Sequence, residues 1–357
     1  MKPTIPLILL AAASSGIAFG AAATAYTTPV GYITHTINGV GTKSPAPAFA
    51  NTYISATMAQ PNVFAGVSNV APSGSTVTFA DASVPINLDS TCVLEITSTG
   101  WWSTVASSTS SSITVASPFP GSLPTNVQVT VRKHNTLSNF LGTNAPGLTT
   151  FDGVSPDYDE VQILSPQSDP QETRACVYVS GANWGDLVNY PNGVWMLTSD
   201  SSVANDLIVE PGTAIRIKRL GTTDLSFTSP GAVKTTPTQV DLYPKSNWIG
   251  TPLAVGKSLN AMTFNSQLHQ FDGISPNYDE VQFLTAVLAP IGENPAQQAQ
   301  PFAAADLGGP DGVTMYDLVN AVNAGTKVFP EGSGVVINRI GNSEGTITIP
   351  GTVVTAP

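Results

Sequence analysis

A stretch of fourteen residues occurs twice in this chain, and this repeat constrains the fold more than any other feature. Phe151–Leu164 reads FDGVSPDYDEVQIL and Phe271–Leu284 reads FDGISPNYDEVQFL, so all but three positions are identical. A second pair of segments, Gly212–Gly221 and Gly332–Gly341, has the same spacing of 120 residues. Similarity at one fixed spacing indicates a duplicated structural unit. The sequence therefore predicts two copies of a unit of about 120 residues.

The rest of the chain is divided around these two copies. Asn51–Ala59 resembles Asn247–Ala254, with one residue of slippage, which suggests that each unit opens with a similar strand. Nothing ahead of the second copy corresponds to residues 62–134. We therefore expect a signal peptide at 1–23, N-terminal strands resembling the opening of the repeat at 24–61, a small inserted β domain at 62–134, repeat unit 1 at 135–235 and repeat unit 2 at 236–357.

The local patterns predict strands and turns. The chain contains 31 Gly and 29 Pro, and only 10% of its residues are charged, as is typical of short strands joined by tight turns. Apolar residues recur mostly at every second position in Ala214–Lys218, Val335–Asn338, Ser112–Ala116 and Gln128–Arg132. We predict an all-β protein of tandem β-sandwich or barrel-like units with a small inserted β domain. The one helix that we expect is Tyr316–Ala324.

The charge and the N-terminus limit the partners and the compartment. The formal net charge is −11, and no Lys/Arg cluster occurs, which argues against nucleic acid as a partner. Met1-Lys2, an apolar run and small residues near Gly20 are typical of a secretory signal peptide. We therefore expect an exported protein, located outside the cell, on its surface or in the periplasm. No transmembrane span is expected after signal cleavage.

The two cysteines leave two alternatives open. Export exposes Cys92 and Cys176 to an oxidising compartment, where they could form a disulfide. They lie in different predicted domains, and free buried thiols are an equal alternative. Neither cysteine has a sequence context that suggests catalysis.

The repeated acidic loop has three interpretations. As a structural element, its Asp-Gly and Ser-Pro pairs form turns and its tyrosine anchors the loop. As a calcium site, each loop supplies several hard oxygen ligands. As a catalytic site, carboxylates from the two copies, such as Asp159 and Asp279, could form a hydrolase pair. The calcium candidates are Asp152, Asp157, Asp159, Glu160, Asp272, Asn277, Asp279 and Glu280.

The tryptophans suggest a different kind of site. In a chain with so little charge, exposed indoles could form a stacking platform for sugar rings, although core packing is the more common role. Trp101-Trp102 is the strongest candidate, because adjacent strand residues point to opposite faces. The full set of candidates is Trp101, Trp102, Trp184, Trp195 and Trp248.

Several short segments together resemble a known family. They include Thr28–Ile33, Tyr53–Pro61, Val93–Ser98 and Val129–Lys133, followed by two copies that end in a Pro-Gly turn. In this order they are similar to an uncharacterised family of exported, β-rich repeat proteins that occurs as large paralogous sets in verrucomicrobial bacteria. The chain departs from that family where an aromatic run and a Trp-Arg pair are usual, and the second copy departs more. The resemblance implies an exported, cell-envelope or extracellular role.

These observations favour a non-enzymatic function. The signature motifs of common enzyme classes are missing, and the three histidines occupy no repeated position. We expect an exported structural or surface-interaction protein that assembles with other copies of itself or with cell-envelope components. The alternatives are a secreted glycan-binding module that uses exposed tryptophans and a secreted hydrolase.

Overall fold

The computed structural model describes most of the chain. The described residues are 29–40, 48–80, 84–121, 123–143, 145, 147–165, 172–186, 188–262, 267–274, 277–284, 288–290, 299–305, 314–329, 331–340 and 344–354. The predicted signal peptide lies outside them. None of the helices in these ranges has the length and hydropathy of a membrane span.

The described part of the chain is almost entirely β-structure, which confirms the all-β part of the prediction. Its strands are β1 (Val30–Ile37), β2 (Ala48–Ser55), β3 (Asn62–Val67), β4 (Thr76–Thr78), β5 (Cys92–Ile96), β6 (Trp102–Ser108), β7 (Ser112–Val115), β8 (Gln128–Lys133), β9 (Asn135–Thr136), β10 (Glu160–Ser165), β11 (Glu172–Ser180), β12 (Gly193–Leu197), β13 (Ile208–Val209), β14 (Ala214–Arg219), β15 (Leu225–Ala232), β16 (Thr238–Leu242), β17 (Lys245–Gly250), β18 (Lys257–Ser258), β19 (Glu280–Leu284), β20 (Leu288–Pro290), β21 (Ala299–Ala305), β22 (Thr314–Asp317), β23 (Val322–Asn323), β24 (Val328–Phe329), β25 (Gly334–Arg339) and β26 (Gly345–Ile349). The helices among these residues are short: α1 (Leu137–Leu141), α2 (Gly181–Trp184) and a 3-10 turn (Leu259–Ala261).

Three antiparallel sheets of six strands make up most of the structure. The first has the order β12-β11-β10-β14-β2-β20, and the second has the order β17-β25-β19-β21-β22-β23. The third has the order β3-β8-β5-β6-β7-β4, so all its strands come from residues 62–133. Each sheet has its own cluster of buried apolar side chains. The segment expected to be an insert thus supplies a complete sheet with its own core.

The strand pairings of the first and second sheets follow the same pattern. In the first sheet β14 lies between β10 and β2, and in the second β25 lies between β19 and β17. Two smaller pairs match in the same way, since β1 pairs with β15 and β16 pairs with β26. The strands predicted from alternation in both copies and in residues 62–134 are confirmed as β14, β25, β7 and β8.

The first two sheets contact each other through two matching contacts. Ile54 on β2 bridges Ser333, and Ile249 on β17 bridges Thr213. Two backbone hydrogen bonds beside these bridges also match. The N–H of Ser55 donates to the carbonyl of Gly332 at 2.9 Å, and the N–H of Gly250 donates to the carbonyl of Gly212 at 2.8 Å. The turns before β14 and β25 are therefore held by the opening strand of the opposite sheet.

The predicted helix at Tyr316–Ala324 is wrong. Residues 314–317 form β22, which pairs with β21, and Val322-Asn323 forms β23. Between them the carboxylate of Asp317 accepts hydrogen bonds from the backbone N–H groups of Val319 and Asn320, at 2.9 and 3.0 Å. An aspartate that binds the backbone in this way favours a turn over a helix.

Candidate functional site

Asp159, which is identical in the two copies of the acidic loop, is buried at the base of the loop. Its carboxylate accepts backbone N–H groups from Thr149 at 2.9 Å and from Leu220 at 2.7 Å. The guanidinium of Arg219 lies 3.5 Å away, and both side chains are almost fully buried. The carboxylate therefore joins the start of β10 to the end of β14.

Asp279 makes the same contacts in the second copy. It accepts N–H groups from His269 at 3.0 Å and Ile340 at 3.1 Å, and Arg339 lies 3.4 Å away. All these partners are 120 residues from their counterparts in the first copy. The strong similarity between the two loops thus has a structural cause.

These contacts contradict the proposed catalytic pair of Asp159 and Asp279. β10 starts at Glu160, which pairs with Lys218, and ends near Leu164, which pairs with Ala214. Ala214 lies next to the contact between the two sheets, so the start of β10 lies at the far end of the sheet. β19 has the same direction, so each acidic loop lies at the end of its sheet away from that contact. The two carboxylates do not face a common substrate, and each is already satisfied by its own backbone partners.

The calcium candidates do not converge either. Asp152 and Asp157 are exposed, as are Asp272 and Asn277, whereas Asp159 and Asp279 are buried. Glu160 and Glu280 bind the side chains of Gln162 and Gln282. In the described ranges, no three His, Cys, Asp or Glu side chains form a metal-binding group. The described geometry therefore gives no support to the calcium interpretation.

The tip of each acidic loop exposes an aliphatic side chain. Asp152 accepts the N–H groups of Val154 at 2.9 Å and Ser155 at 2.7 Å, which also holds the pKa of its carboxyl below the usual value. Asp272 accepts the N–H of Ile274 at 2.9 Å. The glycine that follows each of these aspartates has a positive φ, +89° at Gly153 and +86° at Gly273, a conformation that favours glycine. These turns present Val154 and Ile274, which are 91% and 92% exposed.

Three of the five tryptophans serve packing. Trp195 is fully buried and its indole N–H donates to the carbonyl of Gly142 at 3.1 Å, so the prediction of a sugar-stacking role is wrong for this residue. Trp248 stacks on Tyr53 with ring centroids 5.0 Å apart, where the first two sheets meet. Trp184 packs edge-on against Tyr190 at 6.4 Å.

Trp101 and Trp102 line a surface cleft of about 230 Å³. The other lining residues are Pro120, Gln239 and Asp241. Trp101 packs on Phe119 at 4.8 Å, and both tryptophans are partly exposed. The cleft lies between the third sheet and β16, and it combines aromatic surface with polar side chains.

A buried charge cluster attaches the third sheet to the chain beyond β15. Glu95 on β5 pairs with Arg132 on β8 at 2.7 Å and with Lys234. Burial alone would raise the pKa of the Glu95 carboxyl, but Arg132 and Lys234 hold it below its usual value. Burial lowers the pKa of Lys234 to about 8, despite the attraction of Glu95. Lys234 also donates to the carbonyls of Thr236 and Pro237, so the cluster fixes the segment just ahead of β16.

Lys234 gives the stability a dependence on alkaline pH. Its pKa is about 8 in the folded protein and near the ordinary 10.5 in the unfolded chain, so the unfolded state holds more protons between these values. The free energy of unfolding should therefore rise as the pH increases from 8 towards 10.5. Urea unfolding at several pH values would measure this rise, and Lys234→Met should remove it. Equal slopes in the two proteins would contradict the prediction.

The two cysteines are free, so the disulfide alternative is wrong. Cys92 is buried in the core of the third sheet and Cys176 in the core of the first. Burial raises the pKa of the Cys176 thiol to about 12, which keeps it protonated and unreactive at neutral pH.

Several residues of these sites were missed from the sequence. The exposed positions of Val154 and Ile274 could have been predicted, because an aliphatic residue follows Asp-Gly in both polar loops. Gln239 and Asp241 lie two residues apart in a strand and so share a face, but no local pattern placed them beside Trp102. The partners of Glu95 are likewise distant in sequence, at positions 132 and 234.

The chain was also compared with known proteins. No family model, no curated protein and no solved structure matches it.

Proposed function

We propose that this protein is exported and acts as a structural, surface-interaction protein that assembles with copies of itself at the cell envelope. The two acidic loops serve as its contact points. The observation that carries the proposal is the aliphatic tip of each loop, because Val154 and Ile274 are 91% and 92% exposed and the fold leaves both without packing.

The aromatic positions of the motif pack against each other, and its buried aspartates, Asp159 and Asp279, bind the backbone. Phe151 packs edge-on against Tyr158 at 5.0 Å, and Phe271 packs against Tyr278 at 4.9 Å. By contrast, Val154 and Ile274 project into solvent, and both copies keep an aliphatic residue there. Burying one such side chain in a contact is worth about 1.5–3 kcal/mol, so a contact of this size is weak and depends on repetition.

A duplicated unit with pseudo-twofold symmetry accounts for the arrangement of the loops. The matching contacts Ile54–Ser333 and Ile249–Thr213 support this symmetry, as does the stacking of Tyr53 on Trp248, which occupy matching positions opposite β14 and β25. Both loops lie at the sheet ends away from this contact. A molecule with a contact point at each of two separate ends can link to neighbours on both sides and extend into an open assembly.

The assembly is testable by sedimentation of the exported protein over a range of concentrations. We expect the average mass of the wild type to increase with concentration beyond that of a dimer. If tips bind tips, Val154→Ser alone should limit association to dimers, and Val154→Ser with Ile274→Ser should give monomers. Added salt should promote association, because it screens the repulsion between chains of net charge −11.

Val188→Ser is the matched control, since Val188 is 90% exposed in a loop outside the repeated acidic motif. It should associate like the wild type. A wild type that stays monomeric at high concentration and high salt would exclude the proposal. A double variant that associates as the wild type does would exclude the loop tips as contact points.

A further inference from the structure

We propose that the cleft lined by Trp101, Trp102, Gln239 and Asp241 binds a neutral saccharide. This site is separate from the loop tips and goes beyond the proposed self-association. It would give the protein a ligand in the glycans that surround a cell.

The strand β16 provides the polar side chains of the cleft. Its residues alternate, with Thr238, Val240 and Leu242 buried and the two residues between them partly exposed. Gln239 and Asp241 therefore point to one face, towards the tryptophans. Neither side chain forms a hydrogen bond with any residue in the described ranges, so an amide and a carboxylate remain available to a ligand.

The aromatic side of the cleft is fixed against this strand. The indole N–H of Trp102 donates to the backbone carbonyl of Gln239 at 3.0 Å, and the N–H of Gln239 donates to the carbonyl of Gly100 at 2.9 Å. A Cβ on Gly100 would lie 2.5 Å from the backbone of Pro237, so glycine allows this close approach. The buried cluster of Glu95, Arg132 and Lys234 holds the adjoining segment. The cleft is therefore preformed.

The chemistry of the lining selects a sugar over other small ligands. Partly exposed indole surface packs against the apolar C–H face of a pyranose ring, while carboxylate and amide groups bind hydroxyls. A volume of about 230 Å³ is smaller than that of most sites for drug-sized ligands and suits a single sugar ring. A uronic acid is disfavoured, because its carboxylate would meet that of Asp241 in a protein of net charge −11.

The test is titration of the full exported protein with soluble hexasaccharides, followed by calorimetry and tryptophan fluorescence. The probes are cellohexaose, laminarihexaose and N-acetylchitohexaose, with hexagalacturonate as the anionic comparison. We expect at least one neutral hexasaccharide to bind and the uronate not to bind. Asp241→Ala should weaken binding about tenfold, since it removes a hydrogen bond to a charged acceptor. Gln239→Ala should weaken binding less, because it removes a hydrogen bond to a neutral amide.

Trp184→Phe is the control variant, because Trp184 is partly exposed but lies outside the cleft. It should bind like the wild type, as should Val154→Ser with Ile274→Ser, which separates this site from the assembly contacts. Thermal unfolding should show that all these variants are folded at the temperature of the titration. The absence of a signal with every neutral hexasaccharide would overturn the proposal, and so would unchanged affinity in Asp241→Ala with Gln239→Ala.

Discussion

Replacing Glu95 with glutamine should lower the free energy of unfolding by about 3–5 kcal/mol, the usual cost of breaking a buried ion pair. The substitution leaves the cations of Arg132 and Lys234 together without a counter-charge, and their side chains are only 8% and 5% exposed. Lys234 can lessen the loss by releasing its proton, because burial has already lowered its pKa to about 8. The urea midpoint at pH 7 measures the change.

An exposed pair beside the same sheet provides the control, with Asp89 just ahead of β5 and Lys133 at the end of β8. Asp89 and Lys133 lie 4.0 Å apart with side chains 62% and 52% exposed. Asp89→Asn should therefore change the stability much less than Glu95→Gln. If the two substitutions had equal effects, the buried cluster would not hold the third sheet in place.

A second comparison separates the loss of charge from the loss of packing. Replacing Glu95, Arg132 and Lys234 together by apolar residues of similar size should restore most of the stability, because no buried charge is then left unpaired. The same triple variant should keep the saccharide cleft only if the backbone contact between Gly100 and Gln239 survives. Hexasaccharide titration of this variant would thus show whether charge or backbone pairing positions β16.

The sequence predicts those features of the fold that depend on local pattern. Alternation of apolar residues identified β14 and β25, because one face of each strand packs on a core. The spacing of 120 residues identified matching strands, since identical segments make identical pairings. The resemblance of Asn51–Ala59 to Asn247–Ala254 likewise corresponds to β2 and β17, which pair with β14 and β25.

The errors arise where distant contacts decide the outcome. Tyr316 lies in a strand because it pairs with β21. The local sequence of Tyr316–Ala324 does not indicate this distant partner. Trp195 looks like any other tryptophan in the sequence, yet it is enclosed by a core that other strands supply. The cleft joins residues near positions 101 and 240, so only the docking of the third sheet creates it. Tertiary packing overrides local propensity in each case.

Replacing Asp159 with asparagine should also cost about 3–5 kcal/mol, because it leaves the buried guanidinium of Arg219 without a counter-charge, bound only to the carbonyls of Gly147 and Thr223. The amide nitrogen of asparagine would also face the backbone N–H of either Thr149 or Leu220, two donors that the carboxylate now satisfies. Asp279→Asn should follow the same direction with a smaller effect, since Arg339 is 13% exposed and Arg219 only 4%. Denaturant unfolding of both variants measures the difference.

Hydrogen exchange would locate the damage caused by each substitution. Asp159→Asn should reduce amide protection in β10 and β14, and Asp279→Asn in β19 and β25, because the two carboxylates join different strands. Asp152→Asn is the control within the motif: its exposed side chain can still accept the N–H groups of the turn, so the unfolding midpoint should not move. Equal stability of all three variants would refute the structural role of the acidic loop, and with it the explanation for its near-identity in the two copies.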